Sequence, residues 1–487
     1  MFKGMDLSLR TVARPYGQFW VPPYPDLLST EARSPPSGNV GTRRKPGSAP
    51  KIVIQGWYGN GNLGDEIILE SMLTELRGHF PNASFVVISD DPEDTMRRHG
   101  VESLRRGGGR IQRFRRLQAL TDADLFILGG GELLKPYGSS EVSVLTWLGP
   151  LELAHEMGVP TMTWAVGVSK ALSPRAKALT KEVLSKTDAV TVRDQHSLEV
   201  LHELGVRKAQ LTADPAFLFP GIHPGRRGHV NRHRTKVSVF ATKWYVNRSV
   251  IADPELWGRF EQGVADCLDG LIETYGAEVR FIPMMVGEID EDDRGVAREI
   301  AALTRNRDSI ELFENAVSPM ELLKLISESN LVVGMRLHSL ILSAALKVPS
   351  LAIEYQSKVR RFSISMGVAD WVVEISDSSA ASIQELCRKA LHGGYPLSRL
   401  DERLPALQAL ARKTTQIAVS LITQSESRGN RISRTLKGSS EVARRALGRK
   451  GWQRLPEGAF QSGAPEPRTP IGSATEENPP NTRVEQA

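Results

Sequence analysis

The chain has 487 residues, 40% apolar and 24% charged, which is too long for one ordinary core and too balanced to be fibrous or disordered throughout. Two cysteines, Cys267 and Cys387, exclude a disulfide framework or a Cys-x-x-Cys metal clip, and the lack of an apolar run of about 18 residues or of a charged-then-apolar leader points to the cytoplasm. The net charge of +6 is concentrated at the ends: residues 1–50 hold seven Lys/Arg against three Asp/Glu and residues 428–454 nine against one, so the rest is near −6 and no nucleic-acid partner is expected.

Residues 1–50, rich in Pro, Ser, Gly and Arg without a sustained period, read as a disordered tail. From residue 51 onward, short β-branched runs alternate with helical patterns, the signature of an α/β protein with parallel sheets covered on both faces. Strands are expected at Lys51–Gln55, Ser84–Ile88, Leu125–Leu128, Thr161–Ala165 and Ala189–Val192, giving an N-terminal Rossmann-like domain over 51–220. Residues 221–235 form a basic linker whose His223, His229 and His233 lack metal-ligand spacing, and no metal is expected. A second series at Val237–Ala241, Val279–Pro283, Ile310–Phe313, Leu331–Val333 and Ser350–Ile353 gives a C-terminal Rossmann-like domain over 236–390. Ser173-Pro174 and Ser318-Pro319 with Glu321 mark helix starts, and Gly205 and Gly276 mark helix ends. Residues 391–455 hold C-terminal helices and the basic segment, and 456–487 form a second disordered tail. Two such domains face one another across a cleft, and open α/β sheets take ligands beyond the carboxyl ends of their strands.

The loops after strands carry the chemistry. The first strand runs into Gly56-Trp57-Tyr58-Gly59-Asn60-Gly61-Asn62-Leu63-Gly64-Asp65-Glu66, a glycine turn entering a helix whose free amides suit an anion or a sugar. Asp65 and Glu66 there can instead cap the helix, and Asn60 and Asn62 can brace the turn. Gly129-Gly130-Gly131-Glu132 ends the third strand, where three glycines suit close approach of a ligand or of the opposite domain, with tight packing as the alternative. Leu331 to Ser339 is a buried strand ending in Gly334-Met335-Arg336-Leu337-His338-Ser339 and followed by a helix over 340–346. On an extended backbone Arg336 and His338 point the same way, toward a phosphate or carboxylate, and an Arg–carboxylate structural pair with a core His is the alternative. Glu354, Tyr355 and Lys358 are delivered to the same rim by the next strand.

At these residues the chain resembles the polysaccharide pyruvyl transferase family. The signposts occur in order over roughly 51–376: Gly59-Asn60 to Gly64-Asp65-Glu66, Gly129-Gly130-Gly131, Val192-Arg193-Asp194 with Ser197 and Leu204-Gly205-Val206, Ala213-Asp214-Pro215, Pro283-Met284 with Asp293, Gly334 to His338, and Glu354-Tyr355 with Lys358. The resemblance implies a GT-B-like fold, a donor-binding C-terminal domain and phosphoenolpyruvate as co-substrate, with no cofactor. It also implies ketal formation on two hydroxyls of a saccharide or lipid-linked saccharide precursor of an exopolysaccharide or cell envelope. His338 and Asp65 are then the candidate catalytic residues, and Arg336, Lys358 and Ser339 bind the donor. Asn60, Asn62, Gly130, Gly131, Glu132, Asp293 and Glu354 line the acceptor side or the cleft. A nucleotide-sugar glycosyltransferase or epimerase of the same fold, and a non-catalytic sugar-binding scaffold, are the alternatives. The basic segment 428–454 is expected to remain a solvated tail or to rest on the inner face of a membrane.

Overall fold

A computed structural model of the chain describes residues 49–136, 140–222, 234–243, 253–287, 292–377 and 379–427. The expected tails up to residue 48 and from 456, the basic segment 428–454, and linker residues 223–233 with their three histidines lie outside the described residues.

The first sheet contains β1 (Lys51–Gln55), β2 (Ser84–Ser89), β3 (Glu102–Arg105), β4 (Leu125–Leu128), β5 (Gly131–Leu134), β6 (Thr161–Val168), β7 (Ala189–Val192) and β8 (Gln210–Leu211). Their order is β3-β2-β1-β4-β6-β7-β8, with β5 against β6. The second sheet contains β9 (Lys236–Phe240), β10 (Glu278–Phe281), β11 (Ile310–Leu312), β12 (Leu331–Gly334), β13 (Ser350–Glu354) and β14 (Val372–Glu374), in the order β11-β10-β9-β12-β13-β14. All the strand pairs are parallel, so every strand of a sheet delivers its following loop to the same edge. Strand order reverses between β1 and β4 in one sheet and between β9 and β12 in the other, which sets a crevice at each of these places.

Side-chain alternation explains why both faces of the first sheet are dry. Ile52 and Ile54 of β1, with Leu125 and Ile127 of β4, enter one core, while Val53, Phe126 and Leu128 enter the core on the opposite face. A third core covers the second sheet and also takes Leu63 and Ile67 from the first helix, Leu63–His79. The expected helix signals are present: Ser173 caps the helix Pro174–Lys186, and Ser318 and Glu321 form a reciprocal capping box on Pro319–Ser327.

The chain does not end in the half where its second sheet lies. The helix Leu397–Ser427 buries Leu400 and Leu404 in the core of the second sheet, donates from Gln408 Nε2 to the Phe217 carbonyl at 3.2 Å, and then buries Ala418 and Ile422 on the first sheet. The helix after residue 390, expected as part of a separate C-terminal segment, thus packs on both sheets. A 31-residue helix is long enough to span both halves. Among the described residues, no helix is long and apolar enough to cross a membrane.

Candidate active site

The glycine turn after β1 is stitched to the second half by backbone. Asn62 pairs with Met285 across an antiparallel bridge, Leu63 N–H donates to the Met284 carbonyl at 2.8 Å, and Val286 N–H donates to the Gly61 carbonyl at 3.1 Å. Gly61 has φ +73°, and a Cβ there would stand well inside van der Waals contact distance of the Val286 carbonyl oxygen. Asn62 Oδ1 accepts from Gly64 N–H at 3.0 Å and caps the helix, while Asn60 donates to the Tyr58 carbonyl at 3.3 Å. Both asparagines brace the turn, so the expected sugar contacts from their side chains compete with these bonds.

Next to this stitch the two halves bring ionisable groups together. His338 lies against Gly64, which has room for the imidazole only because it lacks a Cβ. Its Nε2 is 3.7 Å from Asp214 Oδ2, beyond hydrogen-bond reach, and is buried without a hydrogen-bond partner among the described residues. Asp65 is also buried, with Oδ1 over Gly131. Burial raises the Asp65 carboxyl to about 6, with Glu66 adding to the rise and His338, Lys135 and Arg193 opposing it. Arg193, buried at the end of β7, reaches Asp214 at 3.4 Å and Asp194 at 3.7 Å. Burial works against the Asp214 carboxylate, but His338 and Arg193 hold it below the ordinary range. Arg193 and Asp214 appear in the sequence only as signposts. The structure makes them members of the central cluster, because β7 and β8 are neighbouring strands.

Glu132 spans the same gap. Its carboxylate is 4.0 Å from Lys358 Nζ and 3.8 Å from Arg361 Nη2, both on the helix Ser357–Ser365 of the second half. Burial alone would raise it, but Lys358, Lys135, Arg193 and Arg361 hold it at about 2. Arg361 Nε is buried without a hydrogen bond among the described residues, and Lys358 lies over the Tyr355 ring at 5.6 Å. The helices Leu337–Ala345 and Ser357–Ser365 follow β12 and β13 directly, and neither first turn is capped by a side chain. Two helix starts without a side-chain cap therefore lie beside these cations, an arrangement whose potential favours an anion.

Several expected site residues are placed differently. Strand β12 stops at Gly334 and the helix begins at Leu337, three residues earlier than expected, so Arg336 and His338 do not share an extended backbone and approach different carboxylates. Arg336 grips Asp293 through Nε at 3.2 Å and Nη2 at 2.6 Å, and Asp293 Oδ2 also accepts from the Met284 and Met285 amides at 3.0 Å. This fork ties the helix Asp293–Leu303 to the stitched segment, which is the structural pairing weighed as the alternative. Ser339 is buried, and its hydroxyl donates to the Arg336 carbonyl at 2.6 Å. Glu354 pairs with Arg360, which also binds Glu374 at 2.9 Å along the β13–β14 edge. The close neighbours of Gly129 and Gly130 are the chain's own Tyr58, Ile68 and Trp164.

Glu66 belongs to the scaffold. It accepts from Gly59 N–H at 2.9 Å and from His99 at 2.7 Å, and His99 reaches Glu70 at 2.7 Å. Burial would depress the His99 imidazole, but Glu66 and Glu70 override it and raise it to about 9. A raised imidazole stabilises fully below its unfolded value near 6.5 and loses that contribution as pH rises through 9. On the order of 3 kcal/mol is at stake. The melting temperature should fall between pH 6.5 and 9.5, and His99→Gln should be less stable at pH 6 with a flatter profile. Parallel profiles would remove His99 from this role.

The family model described as Polysaccharide pyruvyl transferase matches residues 62–357. The Amylovoran biosynthesis protein AmsJ of Erwinia amylovora is 22% identical over 249 residues, which span 48% of this chain and 60% of that protein. A Listeria monocytogenes structure described as a UDP-N-acetylglucosamine 2-epimerase superposes with TM-score 0.54 at 12% identity, covering 79% of this chain and 98% of its own. A further UDP-N-acetylglucosamine 2-epimerase gives 0.51 at 10% identity, over 76% and 95%. At such identity the likeness is one of fold, and the fold is the expected GT-B-like pair of Rossmann-like halves.

Proposed function

Because the chain belongs to the polysaccharide pyruvyl transferase family, we propose that it moves the pyruvyl group of phosphoenolpyruvate onto two hydroxyls of one sugar in an exopolysaccharide or cell-envelope precursor. The observation that carries this reading is the meeting, at the edge where the halves are stitched, of Asp65 raised to about 6, the unbonded His338 Nε2, and the cations Arg193, Lys358 and Arg361.

The reaction needs these residue types. A proton goes to the methylene carbon, a sugar hydroxyl adds to the neighbouring carbon, and the C–O bond to phosphate breaks as the second hydroxyl closes the ketal. One of the two hydroxyl protons balances the proton delivered to carbon, and the other leaves with phosphate. Asp65, mostly ionised at pH 7 yet able to accept a proton, is the base for the hydroxyl. His338 Nε2 donates to the donor's phosphate or methylene carbon. Lys358, Arg361 and the two uncapped helix starts hold its phosphate and carboxylate. Arg336, oriented by Asp293, positions that anion edge and contributes its charge, and Glu132 keeps the cations aligned until the donor enters. The reaction takes place in the cytoplasm, without metal or cofactor, on a saccharide or lipid-linked saccharide. Any membrane contact by residues 428–454 belongs to this proposal.

Thermal denaturation with phosphoenolpyruvate, phosphate, pyruvate and a panel of nucleotide sugars tests the donor. At about one hundred times its dissociation constant the donor should add roughly 2.7 kcal/mol. Stabilisation by phosphoenolpyruvate that is lost in Lys358→Ala supports the reading. Stabilisation by a uridine or guanosine diphosphate sugar alone would transfer the chain to nucleotide-sugar chemistry.

A further inference from the structure

The helix Arg110–Thr121 is unusual for what it leaves in water. Ile111 is 72% and Phe114 is 68% exposed, and one turn apart they share a face. Its opposite side is fixed to the body by buried Ala119 and Leu120. From Ser103 to Thr121 the sequence has six arginines and no Asp or Glu.

These arginines divide into two kinds, and Arg105, which donates to the Asp90 carbonyl at 3.0 Å, belongs with those that hold the loop in place. Arg106 stacks over Trp147 at 4.6 Å and donates to the Gly56 carbonyl at 3.3 Å, and Arg116 donates to the Arg105 carbonyl at 2.6 Å. They fasten the loop after β3 to the start of the glycine turn. Arg110, Arg113 and Arg115 make no ion pair among the described residues, and two of them flank the exposed Ile111 and Phe114. Parallel pairing of β3 with β2 sends this loop to the edge that carries the site.

We infer that the first two turns of the helix Arg110–Thr121 dock the protein on an anionic lipid bilayer, with Ile111 and Phe114 entering the headgroup–acyl boundary and the arginines on lipid phosphates. The pairing of charge with exposed apolar bulk selects this partner. A nucleic acid or polyanion would complement the arginines but offers Ile111 and Phe114 nothing to enter, whereas an interfacial helix uses both. The docked edge is the one carrying the glycine turn, so docking brings the cleft to the membrane surface. The inference does not depend on the proposed reaction, because binding is measured without substrate.

The test is co-sedimentation of the full chain with vesicles of phosphatidylglycerol and phosphatidylcholine, against phosphatidylcholine alone, at about 0.1 M salt. Wild type should bind the anionic vesicles. Ile111→Ser/Phe114→Ser should bind at least tenfold more weakly. Arg110→Gln/Arg113→Gln/Arg115→Gln should lose about fivefold per arginine, roughly a hundredfold in all. All variants should keep a melting temperature close to the wild type's, since Arg110, Ile111, Phe114 and Arg115 are exposed and the half-buried Arg113 makes no ion pair among the described residues. Phe114→Trp should add a component to the emission that shifts to the blue on anionic vesicles. Undiminished binding by both multiple variants would overturn the inference and assign any membrane contact to another segment. Heparin binding as tight as vesicle binding, and indifferent to the serine pair, would overturn it in favour of a polyanion site.

Discussion

Asp65→Asn is expected to lower turnover by about a hundred- to ten-thousandfold, the range for losing a positioned general base. The melting temperature should not drop. Burial raises this carboxyl from 3.8 to about 6, so keeping it ionised at neutral pH costs the folded state stability, and the uncharged amide removes that cost. Activity and stability should therefore move in opposite or independent directions, which separates a chemical role from a structural one. The wild-type rate should decline on the acid side as pH falls through about 6 and the carboxyl takes up its proton. A twofold loss in the variant, or an acid limb that survives the substitution, would take Asp65 out of the reaction.

Gly61→Ala is expected to be the most damaging single methyl in the described chain. A left-handed backbone costs a non-glycine residue roughly 1–2 kcal/mol, and overpacking adds about 1–3 kcal/mol, giving roughly 2–5 kcal/mol here. The Cβ meets the Val286 carbonyl oxygen, a backbone atom that no rotamer change can move. Relief comes only by parting the strand-like bridge between Asn62 and Met285, so the groups supplied by each half separate together. Calorimetry should show melting lowered by several degrees, with donor binding lost in the same variant. Gly78→Ala is the control: it lies in the helix that follows this turn, with no atom within 4 Å of the added methyl, and should stabilise slightly. An unchanged melting temperature for Gly61→Ala would mean that the bridge does not hold the halves.

Local pattern made most of the scaffold legible, and its limits are physical. β1, β4 and β7 read directly from their apolar runs because both faces of these strands are buried. β3, Glu102-Ser-Leu-Arg105, was invisible because it is a polar edge strand, and the bulged pairing in β6 carries that strand on to Val168 past its expected end at Ala165. At the site, Asp65 and His338 were found from their places after strands. The grouping of their neighbours was not, since Asp214, held by Arg193, comes near His338 only through the packing of one half on the other. An Arg–carboxylate pair at Arg336 was legible as an alternative, but its partner Asp293 was not, because 43 residues separate the two. Exposed Ile111 and Phe114 did carry a sequence signal, one helical turn apart in a run of arginines.

The helix Leu397–Ser427 imposes an order on biosynthesis. Ala418 and Ile422 seal a face of the first sheet, yet they leave the ribosome after the whole second sheet. At roughly 5–20 residues per second, the first half waits about 10–40 s between the completion of β8 and the arrival of that helix. During this interval Leu125 and Ile127 of β4 and Met162 and Trp164 of β6 lack part of their cover, and a nascent chain halted near residue 390 should bind chaperones through that face. Truncation before Leu397 thus affects the distant N-terminal half as directly as the domain it follows.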